Sequence, residues 1–436
     1  MPHSRPALAP CGPNLSSAED RGVAHGDTGS PLAIARAAGN GVQFRFLFRW
    51  CLVVIRITPA RLAARLYRDS FRSEPTVAVS APGRVNLIGE HTDYNGGPVL
   101  PVALRRRTII VAGPADGWSF VSTVDGAVHR AEIEATLPRE WTGYLIGAVR
   151  ELEAINRAPA GARVAVASSV PIGAGLSSSA ALTVAGAAAL SRLGGRRLDP
   201  ATLVDVASRA EHEQVGVRGG RMDQTIAVFG RRGTALLFDT GSGDLSRVPM
   251  PGRIWIIETG ISHKLTGGEL NERRRECEQA LRLLQARWPD LRFLAALPRG
   301  SLGEAEAILP EALRRRVRHV VTETARVHDA VEALGRRDLA RLGTLLVAGH
   351  ESLRDDYQSS CPEADLIVAS AVTHGAYGAR LTGAGWGGAV LMLAPELRER
   401  DVIRGIASDF GAAFGRRPVT WSTVAAGGVR REAVPR

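Results

Sequence analysis

The sequence predicts an α+β protein built in two lobes. Its 436 residues are more than one ordinary core accommodates and suit two domains of roughly 150–200 residues each. Short β-like runs are mixed with long helical patterns, and no internal repeat is present. A hydrophobic content of 45% with 23% charged residues fits a globular chain, neither disordered nor fibrous.

Residues 1–57 are rich in Pro, Gly, Ala and Ser and show no sustained period. They read as a disordered extension, or as a start-site artefact in which the native chain begins nearer Val53. Regular structure is expected from Thr58-Pro59, a cap followed by proline at the first helical position, leading into RLAARLYRDSF. Strands are expected at Thr76–Ala81 (TVAVSA), at TIIVAG and at ARVAVASSV. The Ala-rich stretch Leu176–Leu193 is apolar on every side, as a buried helix would be. After a turn-rich patch at Gly241–Gly243, RIWIIET opens the second lobe. NERRRECEQALRLLQARW then sets Cys277, Leu281, Leu284 and Trp288 on one helical face. Helices over Glu311–Leu334 and Asp338–Ser352 precede a strand, a Gly-rich loop and a strand in ARLTGAGWGGAVLMLA. The lobes are expected over residues 58–245 and 246–430.

Composition limits the function classes. The formal charge is +11, yet Lys264 is the only lysine and the arginines are scattered, which suggests coding bias more than a nucleic-acid face. No recognition motif accompanies the charge, so an enzyme with an anionic co-substrate is the simpler reading. Cys11, Cys51, Cys277 and Cys361 form no CxxC pair and fit reduced thiols of a cytoplasmic protein. The apolar segment Phe44–Ile57 is broken by Arg45, Arg49 and Arg56, well short of the ~20 residues of a membrane span.

Four segments carry chemistry. In PIGAGLSSSAAL (Pro171–Leu182), Gly173 and Gly175 let backbone approach an anion, and Ser177, Ser178 and Ser179 stand at a helix start with free N–H groups. The GK[ST] ending of a Walker loop is missing, so charge balance must come from elsewhere, plausibly Mg²⁺ with a carboxylate. A serine-capped turn of no special function is the alternative. APGRVNLIGEHTDYNGG (Ala81–Gly97) crowds Arg84, Glu90, His91 and Asp93 together, a set able to grip sugar hydroxyls or simply to form a solvated loop. His91 has no second histidine at helical spacing, which weakens a zinc reading. In AEHEQVGVRGGRMDQT (Ala210–Thr225), Glu211 and Asp223 could divide metal binding and proton handling, as phosphoryl transfer needs. LTGAGWGGAV (Leu381–Val390) has glycines that permit tight packing against a ligand or another loop.

In this order the segments resemble galactokinases of the GHMP superfamily. GRVNLIGEHTDYNGG is similar to the family signature, PIGAGLSSSAAL to the superfamily ATP-phosphate loop and LTGAGWGGAV to its third motif. LNERRRECE (Leu270–Glu278) and DDYQSSCPEADLIV (Asp355–Val368) match further family stretches, and the likeness runs from about Leu62 to Val429. The resemblance implies a ribosomal-S5-like N-terminal lobe, a ferredoxin-like C-terminal lobe and a site between them. It implies a soluble monomer using ATP and Mg²⁺ to make galactose 1-phosphate, with no nucleic-acid or membrane partner. By position it makes Asp223 the catalytic carboxylate with Arg84 beside it, and Glu90, His91, Asp93 and Gly220 the sugar ligands. Gly173, Gly175, Ser177 and Ser178 become the phosphate cradle, Ser179 and Glu211 the Mg²⁺ ligands, and Trp141 and Tyr144 the border of the adenine.

Four positions depart from the family pattern. Leu270 stands where a sugar-touching tyrosine is usual, Gly219 and Arg221 replace Cys and Ile in GGRMDQ, and Ala389 replaces a common cysteine. Another sugar (N-acetylgalactosamine, galacturonate or arabinose) is therefore the alternative substrate, with Arg221 either reaching an anionic sugar or pointing to solvent. A non-catalytic sugar and ATP sensor is the alternative of another class; the intact LSSSAA run and Asp223 argue against it.

Overall fold

A computed structural model describes residues 58–134, 138, 140–216, 220–261 and 268–435; the extension expected at 1–57 lies outside them. The chain enters through α1 (Pro59–Phe71), where Thr58 Oγ1 accepts from the Arg61 N–H as the expected cap. Then follow β1 (Val77–Asn86), β2 (Pro98–Val99), β3 (Pro101–Pro114), β4 (Trp118–Ser122) and β5 (Val128–Ala131). Next come α2 (Trp141–Ala154), β6 (Ala162–Ser168), α3 (Ser178–Leu193) and α4 (Pro200–Arg209). A π-helical turn (Ala210–Gln214) leads to α5 (Met222–Phe229), β7 (Thr234–Asp239) and β8 (Leu245–Pro249).

The second half holds β9 (Ile254–Glu258), α6 (Gly268–Gln285), α7 (Leu302–Ile308), α8 (Glu311–Gly335), α9 (Leu339–Ser352) and α10 (Pro362–Thr373). It ends with β10 (Gly378–Thr382), β11 (Ala389–Leu393), α11 (Glu399–Phe414), β12 (Val419–Thr423) and β13 (Arg430–Arg431). Strands and helices fall where periodicity placed them, with Trp288 just beyond the helix that carries Cys277 and Leu284. The result is a two-lobed α+β fold.

Three sheets organise these elements: a six-stranded sheet in the order β13-β1-β3-β6-β4-β5, a four-stranded sheet β10-β11-β9-β12, and a three-stranded sheet β2-β7-β8. In the six-stranded sheet only the β4–β6 pair is parallel. The buried helix α3 packs on this sheet with twelve of its positions from Ala180 to Ser191 out of solvent, which is why its sequence lacks a polar stripe. A core cluster containing Val85, Leu104 and Leu176 also contains Ile254, Leu346 and Leu391, so apolar packing crosses residue 246. The final strand β13 returns to pair with β1 through Val79↔Arg431 and Ser80↔Arg430.

Two features position the functional loops. The β1–β3 register shifts between Pro82 and Arg84, a bulge centred on Gly83, where a Cβ would meet the Leu176 carbonyl oxygen at 2.6 Å. That bulge re-aims Arg84, whose backbone N–H donates to the Leu176 carbonyl just before α3. In the second half, α9 lies backbone to backbone on β10: a Cβ on Gly343 would sit 2.1 Å from the Tyr377 oxygen. Gly343→Ala should therefore destabilise the protein by about 2–3 kcal/mol. Helix propensity alone predicts a gain of about 1 kcal/mol, so the sign of the change in urea midpoint decides between them.

Candidate active site

The glycines and serines after β6 form a tight turn rather than a plain cap. Gly173 and Gly175 have φ of +74° and +68°, and Ser177, at the N-terminus of α3, has φ +57°. A Cβ on Gly383 would lie 2.6 Å from the Gly175 oxygen, and one on Gly388 would lie 3.0 Å from the Ala174 oxygen. LTGAGWGGAV thus packs directly on the serine loop, which decides the question left open for its glycines.

Arg84 ties this loop to the carboxylate at the start of α5. Its Nε donates to Asp223 Oδ1 at 2.8 Å and its Nη2 to Oδ2 at 3.0 Å, while Nη1 donates to the Gly175 carbonyl at 2.5 Å. Ser177 Oγ also donates to Asp223 Oδ2, so this serine holds the carboxylate as well as bordering the cavity. A carboxylate has about four lone-pair sites; three are taken here, leaving one for a ligand.

Glu211 lies in the π-helical turn, which swings it against α3. Ser179 Oγ donates to Glu211 Oε1 at 2.7 Å and Gln224 Nε2 donates to Oε2 at 2.6 Å. Burial raises this carboxyl to about 7, opposed by the Ser179 hydrogen bond and assisted by the neighbouring charge of Asp223. A hydroxyl and a carboxylate form a hard-oxygen pair that suits Mg²⁺, whose remaining ligands are usually phosphates and water. Among the described residues no cluster of three His, Cys, Asp or Glu could hold a metal by itself.

The loop after β1 is buried, which excludes the solvated alternative. Glu90 is 2% exposed and His91 5%. Glu90 pairs with Arg380 Nη2 at 2.6 Å, and Arg380 Nη1 pairs with Glu323 at 2.8 Å. Burial raises the Glu90 carboxyl to about 7, against the pull of Arg380 and with the push of Glu323. Glu323 in turn accepts from the Gly89 N–H at 2.8 Å and from Arg326 Nε at 2.7 Å. His319 Nε2 lies 3.0 Å from the Glu90 carbonyl, an acceptor only, so that nitrogen carries the proton.

His91 adopts φ +63°, stacks on Tyr357 at 4.3 Å, and shares a hydrogen bond with Tyr94 OH through Nδ1 at 2.8 Å. Burial, followed by the His319 charge, holds the His91 imidazole well below its ordinary range, and its buried Nε2 has no well-formed hydrogen bond. Asp93 faces Gly220 so closely that a Cβ there would overlap its carboxylate. Burial first and Asp223 second raise Asp93 to about 6.

One cavity of about 140 Å³ gathers Arg84, Glu90, His91, Asp93, Gly173, Gly175, Ser177, Ser178, Ser179, Glu211, Gly220 and Asp223. Every expected site residue lines it except Trp141 and Tyr144. Trp141 Nε1 instead donates to Asp125 at 3.0 Å, and Tyr144 packs on the N-terminal core near Glu211. Leu270 lines the cavity, whereas Arg221 turns outward to an exposed ion pair with Asp205; Gly219 lies outside the described residues. Ala389 is a core residue of β11, not a cavity residue. Sequence reasoning missed Arg380, Glu323, His319 and Tyr357. The available signals were an arginine inside an otherwise apolar strand and a His-x₃-Glu pair on one face of a long helix.

The raised Asp93 carboxyl has a testable consequence. A folded-state pKa above the ordinary value means that folding favours the protonated form, so this group's contribution is lost as pH rises from about 4 through 6. Asp93→Asn should thus be more stable than the parent by about 1–2 kcal/mol at pH 8, allowing for partial exposure. That gain should vanish near pH 4. Urea titrations of both proteins at the two pH values check it; an equal difference at both would remove the electrostatic account.

Known proteins resemble this chain in both halves. A family model described as the galactokinase galactose-binding signature matches residues 65–114. The GHMP kinase N-terminal domain model matches 143–231 and the C-terminal model 330–413. A galactokinase of Roseiflexus sp. is 39% identical over 373 residues, covering 84% of this chain and 95% of the relative. The human galactokinase is 39% identical over 374 residues, covering 80% and 91%. The crystal structure of Lactococcus lactis galactokinase complexed with galactose superposes with a TM-score of 0.81 at 27% identity, over 86% of this chain and 100% of that one. A mevalonate kinase, at 18% identity and a TM-score of 0.59, shares the fold. With the signature, both kinase domains and full-length relatives in agreement, the chain belongs to the galactokinase family of GHMP kinases.

Proposed function

We propose that this protein transfers the γ-phosphate of ATP to the anomeric hydroxyl of galactose, giving galactose 1-phosphate and ADP. The observation that carries the reading is the Arg84–Asp223 pair, held bidentate on the wall that the serine loop and the GEHTDYN loop share. A sugar hydroxyl is a weak nucleophile, and the lone-pair site left on Asp223 accepts its proton as the O–P bond forms. The guanidinium of Arg84 offsets charge that develops beside it. Ser177 and Arg84 together fix the carboxylate so that little reorganisation is needed.

Glu90, His91 and Asp93 provide the remaining sugar contacts: the carboxylates accept from hydroxyls, and the His91 ring, which also has a backbone partner in Ala384, lines the same wall. The Gly220 backbone completes this wall because no side chain intervenes. Free N–H groups at the start of α3, with Gly173, Gly175 and Ser178, cradle the phosphates of ATP. Ser179 and Glu211 would hold Mg²⁺, which when bound neutralises phosphate charge.

The alternative of an anionic sugar loses support, since Arg221 is paired with Asp205 away from the cavity. Leu270 remains within it, so one hydroxyl contact usual in the family is absent, a loss of about 1 kcal/mol where water replaces it. ATP consumption with Mg²⁺ against galactose, N-acetylgalactosamine, galacturonate, arabinose and glucose tests the assignment. Galactose should give the highest kcat/KM, and turnover confined to another sugar would overturn the choice. Asp223→Asn should lower kcat by at least about a thousandfold while ATP still binds; near-parental turnover would remove Asp223 from the chemistry. Leu270→Tyr should lower the KM for galactose by roughly fivefold with kcat little changed.

A further inference from the structure

Among the described residues a second cavity of about 140 Å³ lies at the far ends of the helices that carry the site. Helix α3 begins at Ser178 and Ser179 and ends in this cavity with Ser191 and Arg192, about 20 Å further along its axis. Helix α5 begins beside Asp223 and reaches the cavity at Val228, and Pro200 and Leu203 of α4 close a third side. The lining divides by chemistry. Ala188, Leu198, Leu203, Val228 and Val429 form an apolar floor, and Arg192 and Arg197 stand over it.

Arg431, on β13 two residues after Val429, adds a third positive charge. The Arg192 guanidinium is lowered from its ordinary range by burial and then by the charges of Arg197 and Arg431, with no acidic neighbour among the causes. None of these three arginine side chains makes a hydrogen bond or ion pair with a described residue, whereas those of Arg84, Arg316, Arg318 and Arg380 are all paired. The adjacent acids are already engaged. Asp199 accepts from the Thr202 N–H and hydroxyl as the cap of α4, and Glu432 binds Ser80 and Arg430. The backbone does not compensate either. Because α3 ends and α4 begins here, terminal partial charges of about −0.5 and +0.5 cancel, and the arginines set the potential.

We propose that this cavity binds a small organic anion, its phosphate or carboxylate head on Arg192 and Arg197, with the nearby charge of Arg431 adding to the field, and its compact apolar body on Leu198, Leu203 and Val429. Such a ligand needs both halves: guanidinium groups recognise the oxyanion, and the floor excludes water from an alkyl body. The site is distinct from the kinase cavity and shares no lining residue with it.

The test uses the full chain with its kinase site filled by galactose, Mg²⁺ and a non-hydrolysable ATP analogue, titrated calorimetrically at low salt with butyl phosphate, butyrate and inorganic phosphate. One equivalent of butyl phosphate or butyrate should bind, at least ~10-fold tighter than inorganic phosphate. Which of the two binds better separates a phosphorylated from a carboxylated ligand. Arg192→Ala and Arg197→Ala should each weaken binding by at least ~10-fold, with basal kcat on galactose unchanged and Arg404→Ala without effect. Arg197 is exposed, so its variant tests the site without disturbing the core. No binding of any probe at millimolar concentration, or binding unaffected by both variants, would overturn the proposal. Inorganic phosphate binding as tightly as butyl phosphate would overturn the role given to the apolar floor.

Discussion

Arg84 commits its guanidinium to fixed partners: Nε and Nη2 to Asp223, Nη1 to the Gly175 carbonyl. Through it β1, the serine loop and the start of α5 become one body, although they are separated by up to 139 positions in the chain. Arg84 is only 6% exposed while Asp223 keeps part of its carboxylate in solvent, and the cost of removing the guanidinium from water offsets much of the attraction. Its value is therefore geometric. It sets where Asp223 stands relative to the proposed phosphate cradle, and the bulge at Gly83 lies immediately before it in β1, where the strand passes the Leu176 carbonyl.

The sugar side of the cavity hangs from the other half of the molecule. Arg380 is fully buried on β10 between Glu90 and Glu323, and Glu323 also takes the Gly89 N–H. His319 holds the next carbonyl of the same loop. A helix and a strand more than 200 residues downstream thus place Glu90 and His91, which explains why these two residues are buried in a loop whose regular structure is a single 3-10 turn, Asp93–Asn95. Removing one member would leave uncompensated buried charge, a loss of about 3–5 kcal/mol. The sugar contacts proposed for this loop are therefore coupled to structural integrity.

Packing between loops adds the last constraint. Gly383 and Gly388 bring the third Gly-rich segment onto Ala174 and Gly175, closer than any side chain would permit. The phosphate cradle is accordingly shaped from outside as well as by its own glycines. Leu270 enters the same cavity from α6, so the departure from the family pattern is placed where it can act on the sugar.

The sequence by itself determined much of this protein. Apolar patterning located α1, α8 and the strands β1, β6, β9, β10 and β11, because a helix or strand must keep one face dry wherever it sits, and an all-round apolar run located the buried helix α3. The short motifs nominated nearly every residue that lines the cavity, since glycines near an anion and carboxylates near hydroxyls are dictated by local chemistry. Tertiary structure alone decided which long-range partners those residues have. Arg380 and Glu323 could not be read as supports for Glu90, because their pairing depends on how β10 and α8 meet the loop. Ser177 was read as part of the phosphate cradle, yet its hydroxyl reaches Asp223, 46 positions away. Trp141 satisfied its indole on Asp125 rather than in the cavity, and Arg221, assessed by its charge, turned to Asp205. Sequence pattern records what each residue can do within a few neighbours; ion pairs and hydrogen bonds act over a few ångströms, and only the folded chain sets which groups come that close.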